Sequence, residues 1–321
     1  MSTEISVIIP AYQEQDNIGT LVAGIKKALA TERKWEIIFV DDGSMDMTWE
    51  RISMLHDEDS RVKGVRLTRN FGHQHALYAG LFFAKGDAVI TMDADLQHPP
   101  EVISKLLEAW RSGYRIVNTI RTDHPNIPWT KRFTSRIFYS VFSLLSGVKL
   151  SAGMADFRLL DRQVVDRLLD LGEYHLFLRG MVQWMGYSSH VTPYNSGKRL
   201  SGNSQYNLGK MLKLAWTGIT SYSIIPLRLA TTVGIITSIF AFGGLFYALY
   251  AKFVISDVVA GWTSLISFLS LLFGVLFIVI GVLGEYIARI LEQVRGRPRF
   301  IVGESKGLSS SREASNRAER Y

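Results

Sequence analysis

Two runs near the end of the 321-residue chain, Leu229–Phe253 and Trp262–Leu283, limit what it can be. The first carries no charge until Lys252, and the second carries none at all. At about 1.5 Å per residue, about 20 residues cross a bilayer core of roughly 30 Å, so each run is long enough to span one. Gly234, Gly243, Gly244, Gly274 and Gly281 lie inside them and suit close helix contacts. The alternative, a buried helical hairpin of a soluble protein, sits poorly with so long a stretch without charge. Arg228 precedes the first run; Arg289, Arg295, Arg297 and Arg299 follow the second. The connection offers Lys252 offset by Asp257, so the positive-inside rule puts both ends in the cytoplasm.

Composition removes several classes of answer. There is no cysteine, which excludes a disulfide framework, a thiolate metal site and a thiol nucleophile. Met1 to Ser6 leads at once into an apolar strand pattern, without the basic and apolar regions of a cleavable signal. The net charge of +7 accompanies the apolar runs, and its basic residues form no nucleic-acid module. An anionic lipid surface or a phosphorylated lipid is the expected partner, and nucleic acid is not.

Up to about residue 222 the pattern is that of a globular α/β domain. Ile5–Pro10, Glu36–Val40, Val62–Leu67, Val89–Met92 and Arg115–Thr119 are short apolar runs bounded by polar loops. Between them Ile18, Leu21, Val22, Ile25 and Leu29 recur at helical spacing, and a further helix is expected over His73–Ala84. This alternation predicts a mostly parallel, doubly wound sheet. No dinucleotide or Walker glycine pattern follows any strand. Gly153–Leu160 reads as a later strand with Asp156 embedded in it, after which Asp161 caps a helix. Residues 129–148 and 206–222 read as amphipathic helices with cationic edges, suited to a headgroup layer. Gly303–Tyr321 reads as a disordered tail. The expected organisation is thus a cytoplasmic domain over 1–222, a two-helix transmembrane domain over 225–291, and a cytoplasmic tail over 292–321.

The chemistry concentrates in Val89-Ile-Thr-Met-Asp93-Ala-Asp95-Leu-Gln-His-Pro-Pro100. In an extended segment positions i and i+2 share a side, so Asp93 and Asp95 are expected to converge beyond the strand's carboxyl end. Two anions so placed repel unless a cation lies between them, and a divalent ion carrying phosphate oxygens satisfies both. A bare Asp-x-Asp serves equally as a solvated turn. His73 and His75, two apart on a helix, do not share a face and read as polar residues at a helix start.

Four segments occur in order: Val7–Glu14, Val40–Ser44, Arg69–Gly72 and Met92–Pro100. Together they resemble the family 2 inverting glycosyltransferases of the GT-A (Rossmann-like) fold. Arg199–Ser204 and the paired apolar runs ending in Leu283–Arg289 resemble the polyisoprenyl-phosphate branch, the dolichyl-phosphate mannose synthase-like enzymes. The bacterial two-span members that act on undecaprenyl phosphate are the most similar. The resemblance covers about residues 5–302.

The resemblance implies a metal-dependent enzyme of a bacterial plasma membrane, moving a hexose from a UDP-sugar to undecaprenyl phosphate. Glucose is the expected sugar; formamido-arabinose, or mannose from GDP-mannose, and a processive polysaccharide synthase are the alternatives. It further implies that Pro10, Tyr12, Glu14 and Asp42 hold the nucleotide. Asp93 and Asp95 would bind Mg²⁺ or Mn²⁺ on the diphosphate, with Gln97, Arg199 and Ser204 as further donor contacts. Arg121, Lys131 and Ser135 match the positions that hold the acceptor phosphate. Gln205 stands where a lysine is frequent in the family, with Lys198 nearby as a substitute. Asp95 and Asp156 are the expected catalytic carboxylates, Asp156 to orient acceptor or sugar and take a proton only from a monoanionic acceptor. The resemblance extends to relatives that assemble as tetramers.

Overall fold

A computed structural model of the chain describes residues 4–122, 154–174, 176–195, 223–250 and 261–308. They fall into two compact units, one holding the described residues up to 195 and from 297 onward, the other those from 223 to 296. The expected amphipathic helices at 129–148 and 206–222 lie outside the described residues.

In the first unit eight described strands form one sheet: β1 (Ile5–Ala11), β2 (Trp35–Asp41), β3 (Val62–Leu67), β4 (Ala88–Thr91), β5 (Ile116–Arg121), β6 (Met154–Asp161), β7 (Ser189–Tyr194) and β8 (Val302–Lys306). Their order is β7-β5-β6-β4-β1-β2-β3-β8. β1 pairs in parallel with β2 and β4, β2 with β3, and β5 with β7. β6 runs antiparallel between β4 and β5, and β8 antiparallel along β3. Every residue of β1, β2 and β4 is buried, which is why these strands read as continuous apolar runs instead of alternating ones.

Helices cover both faces. α1 (Ile18–Ala28), α2 (Thr48–Glu58) and α4 (Val102–Arg111) supply Ile18, Leu21, Ile25, Ile52, Ile103 and Leu106 to the main core, against Val7, Ile37, Ile90 and Phe157 of the sheet. The carbonyls of Pro99 and Pro100 accept from the Val102 and Ile103 amides and so start α4. α3 (His73–Phe83) packs on β1 and β2 from the other side. A Cβ on Gly80 would stand 2.1 Å from Ile8 Cγ2, so α3 lies nearer to β1 than any side chain at that position permits. α5 (Arg162–Asp170) begins as expected at Asp161, whose carboxylate accepts from the Gln163 amide at 3.1 Å. α6 (Leu178–Trp184) follows.

The second unit is a hairpin of α7 (Ile225–Tyr250) and α8 (Trp262–Val294). The Tyr286 hydroxyl donates to the Ser223 carbonyl at 2.7 Å, and Phe268 faces Gly244, so the start of each helix lies beside the end of the other. Ile225–Gly244 and Leu271–Val294 are each long and apolar enough to cross a membrane. Their side chains are not used as a core: Phe240 is 71% and Ile278 69% exposed.

The region expected to be a disordered tail begins instead with β8. The edge of β3 offers unpaired backbone groups, and Val302–Lys306 pairs with them. Glu304 accepts from Trp49 Nε1 at 3.0 Å and from Arg66 Nη1 at 3.3 Å. Arg299, expected to flank a membrane span, is buried. Its Nε donates to the Glu173 carbonyl at 2.9 Å, its Nη1 donates to the Tyr78 hydroxyl, and its guanidinium lies 4.8 Å from the Tyr78 ring centre. Phe300, 5% exposed, packs among Tyr78, Phe82 and Phe83. Phe300→Ala is expected to destabilise the first unit by about 3 kcal/mol or more. Unfolding of the full chain followed by tryptophan fluorescence checks this; an unchanged midpoint would show that the segment is not part of the unit.

Candidate active site

The chain passes from β1 to β2 and β3 on one side, then returns to β4 on the other side of β1. Where strand order reverses, the loops beyond the carboxyl ends diverge and leave a crevice. Here that crevice is an open cleft of about 330 Å³, walled by Pro10, Tyr12 and Glu14 at and beyond the end of β1, Asp42 after β2, Asn70, Gly72 and His73 after β3, and Asp93 with Asp95 after β4. β6 is antiparallel, so its first residues, including Asp156, also reach this edge of the sheet. Arg121 ends β5 on the same edge. The site residues are therefore laid out in strand order: Asp42 (β2), Tyr12 and Glu14 (β1), Asp93 and Asp95 (β4), Asp156 (β6), Arg121 (β5).

The loops after β1, β2 and β3 are tied together by backbone groups. Asp42 accepts from the Phe71 amide at 2.7 Å and the Gly72 amide at 2.9 Å. Gly43, at φ +72°, permits this approach, since a Cβ there would stand 2.6 Å from the Arg69 carbonyl carbon. Burial raises the Asp42 carboxyl's pKa against the pull of the two amides. Gln13, at φ +58°, turns the loop after β1, with its amide donating to Ser44 Oγ. Burial also raises Glu14, with Asn17 opposing and Asp95, Asp46 and Asp93 adding repulsion. Tyr12 is 42% exposed on the cleft wall.

Asp93 and Asp95 both line the cleft, but not from a continuing strand. β4 ends at Thr91, and a turn with Leu96 at φ +61° carries the pair, not the pleat of a continuing strand. The Asp93 amide donates to His98 Nδ1 at 3.0 Å, and the Gln97 amide donates to Asp95 Oδ1 at 3.1 Å. His98 is buried and stacked on Phe157 at 5.0 Å. Desolvation raises the Asp93 pKa although His98 and His73 oppose it, and Asp156 and Asp95 raise it further. Asp93 Oδ1 is buried and makes no hydrogen bond. Among the described residues no group of three or more His, Cys, Asp or Glu stands ready for a metal. Two carboxylates with an unsatisfied oxygen suit a hard cation that takes its remaining ligands from phosphate and water.

Beyond them Asp156 is buried and held from three elements. Arg179 of α6 donates through Nε and Nη2, each at 2.8 Å, and Arg158 donates through Nη2 at 3.0 Å. Gln74 of α3 donates at 3.4 Å while accepting from the Leu178 amide. Burial opposes the charge, but Arg179, His73 and Arg158 outweigh it and hold the carboxyl well below its usual range. Desolvation in turn lowers the Arg158 pKa to about 10.

His73 stands at a helix start, as its sequence position predicts. Its Nε2 stands 3.5 Å from Asp93 Oδ1 and 3.6 Å from Asp156 Oδ2, and it lines the cleft. Its place in the cleft was missed, as were Arg158, Arg179 and His98. Arg158 was within reach of the same-side rule applied to Asp156-Phe157-Arg158; Arg179 and His98 carried no comparable signal. Arg121 Nη1 lies 3.4 Å from Gln97 Oε1, so the structure brings those two expected residues together. Lys131, Ser135, Lys198, Arg199, Ser204 and Gln205 lie outside the described residues.

Asp156→Asn is expected to cost about 3–5 kcal/mol, because it leaves the buried Arg158 charge without its partner. Chemical unfolding of the variant checks it. Stability equal to wild type would mean that the network is not set up as described.

Residues 6–169 match the model of glycosyl transferase family 2. An uncharacterised glycosyltransferase of Bacillus subtilis is 38% identical over 310 residues, 96% of this chain and 96% of that protein. A prophage-derived bactoprenol glucosyl transferase of Shigella flexneri is 37% identical over 303 residues, 94% of this chain and 98% of that protein. Among solved structures, glucosyl-3-phosphoglycerate synthase from Mycobacterium tuberculosis covers 68% of this chain and 80% of its own, with a TM-score of 0.48 and 19% identity. The chain belongs to glycosyl transferase family 2.

Proposed function

We propose that this glycosyltransferase moves a hexose, glucose being the first candidate, from a UDP-sugar to a polyprenyl phosphate at a membrane surface, with inversion. The observation that carries this reading is the near full-length match to a bactoprenol glucosyl transferase, which extends through both apolar helices. α7 and α8 expose apolar side chains that water would not tolerate over such an area, and a bilayer accounts for them. Arg228, Arg295 and Arg297 are exposed at one end of the hairpin and Arg289 pairs with Glu285, which favours a catalytic unit on the cytoplasmic side even with Arg299 withdrawn from the count.

The strand-end order supports a donor lying across the sheet edge. Tyr12, Glu14 and Asp42 would take the nucleoside, and Asp93 with Asp95 would hold the diphosphate through Mg²⁺ or Mn²⁺. When bound, such a cation neutralises the charge that builds on the leaving diphosphate. Arg121, beside Gln97, would receive the acceptor's phosphate.

An acceptor phosphate monoester has its second pKa near 6, so at pH 7 it already carries the attacking charge and needs no strong base. Asp156 is a weak base in its arginine clamp. This favours an orienting role for Asp156 over proton transfer. Attack from the side opposite the diphosphate then inverts the anomeric centre.

The test is UDP release from UDP-glucose by the full chain in detergent, with Mn²⁺, with and without undecaprenyl phosphate. Release is expected to need both lipid and metal, and Asp95→Ala is expected to slow it on the order of 10²-fold, the scale of losing one electrostatic stabiliser. Release indifferent to the lipid would sink the acceptor assignment; release unaffected by EDTA would sink the metal.

A further inference from the structure

We propose that His73 is a specificity-determining residue that contacts a hydroxyl of the transferred sugar. This rests on the donor reading above and deepens it.

Three observations carry it. First, His73 lines the cleft and its side chain is 45% exposed, so a ligand can reach it. Second, its Nε2 is placed between the carboxylates of Asp93 and Asp156, 3.5 Å from one and 3.6 Å from the other. Asp93 follows the end of β4 and Asp156 lies near the start of β6, the strand beside it in the sheet. Third, β2, β1, β4 and β6 are successive in the sheet, and on the donor reading the nucleoside lies over β2 and β1 and the diphosphate over β4. In a nucleotide sugar the hexose follows the diphosphate. One strand step past the diphosphate carboxylates is therefore where the hexose lies, and His73 stands over that step.

The chemistry of the ring suits a hydroxyl. Nε2 lies near two carboxylate oxygens, and the part of the ring that lines the cleft is what a ligand meets. An imidazole nitrogen pairs with a sugar hydroxyl as donor or as acceptor, because the hydroxyl is both. A site that pairs with a particular hydroxyl discriminates strongly against the analogue lacking it, since its polar groups are then left unsatisfied. The placement is also rigid. Gly80 seats α3 directly on β1, and Gln74, the next residue, is bonded to both Asp156 and the Leu178 amide. A ring mounted on a helix start fixed in this way can select between sugars that differ in one hydroxyl.

The experiment is equilibrium binding by calorimetry on the full chain with Mn²⁺. UDP is compared with UDP-glucose and UDP-galactose, and GDP with GDP-mannose, for wild type, His73→Ala and His73→Gln. The side chain is partly exposed, and equal thermal midpoints for the three proteins verify that folding is intact. For the nucleotide sugar that wild type binds more tightly than its bare nucleotide, both variants are expected to lose that advantage by about tenfold. The bare nucleotide is expected to bind all three proteins within about twofold. Among deoxy analogues of that sugar, one is expected to bind wild type and His73→Ala alike. A variant that weakens nucleotide and nucleotide sugar by the same factor assigns His73 to the diphosphate or to the carboxylates, and overturns the inference alone. So does a variant that changes neither. A wild-type chain that binds no nucleotide overturns the donor reading and this inference with it.

Discussion

A single buried carboxylate ties together the elements that stand beside this cleft. Asp156 lies at the start of β6 under the cleft, out of water, and an isolated charge there is untenable. Arg158 answers it from the same strand, Arg179 from α6, and Gln74 with His73 from α3. Three elements far apart in sequence are thereby drawn to one point. Such a pair adds little net stability over an apolar core. Its effect is geometric: it links the first residues of α3, His73 among them, to β6 and α6.

α3 is held along its length as well as at its start. Tyr78, one turn beyond His73 and Gln74, donates to the Leu169 carbonyl and accepts from Arg299, and Phe300 fills the space against Phe82 and Phe83. The residues that follow α8 are thus a structural part of the catalytic unit and not an appendage to it. β8 then closes the edge of β3, which would otherwise present a row of unpaired backbone groups. The segment between the apolar hairpin and β8 serves the same helix that borders the cleft, which makes the C-terminal segment part of what gives the site its shape.

Much of the fold was legible because its signals are local. A strand buried on both faces is a continuous apolar run, and a helix covering one face repeats every three to four residues, so β1 to β5 and α1 stood out. The cap at Asp161 was readable for the same reason. β8 was not: Val302-Gly-Glu-Ser-Lys306 has no alternation, and it is a strand because β3 offers a free edge some 240 positions earlier in the chain.

The site divides along the same line. By itself the sequence determined the acidic pair after β4, the loops after β1 and β2, and two apolar runs of membrane length, because each is a pattern within a few neighbouring residues. Tertiary structure alone decided that Asp93 and Asp95 stand on a turn, that His98 props that turn from beneath, and that Asp156 is clamped by two arginines. It also placed His73, which does open α3, on the cleft wall, and made Arg299 a buried anchor instead of a membrane flank. The reason is that burial and charge are compensated across space. Which cation answers a buried carboxylate depends on what the fold brings within about 3 Å of it, and no local pattern encodes that distance.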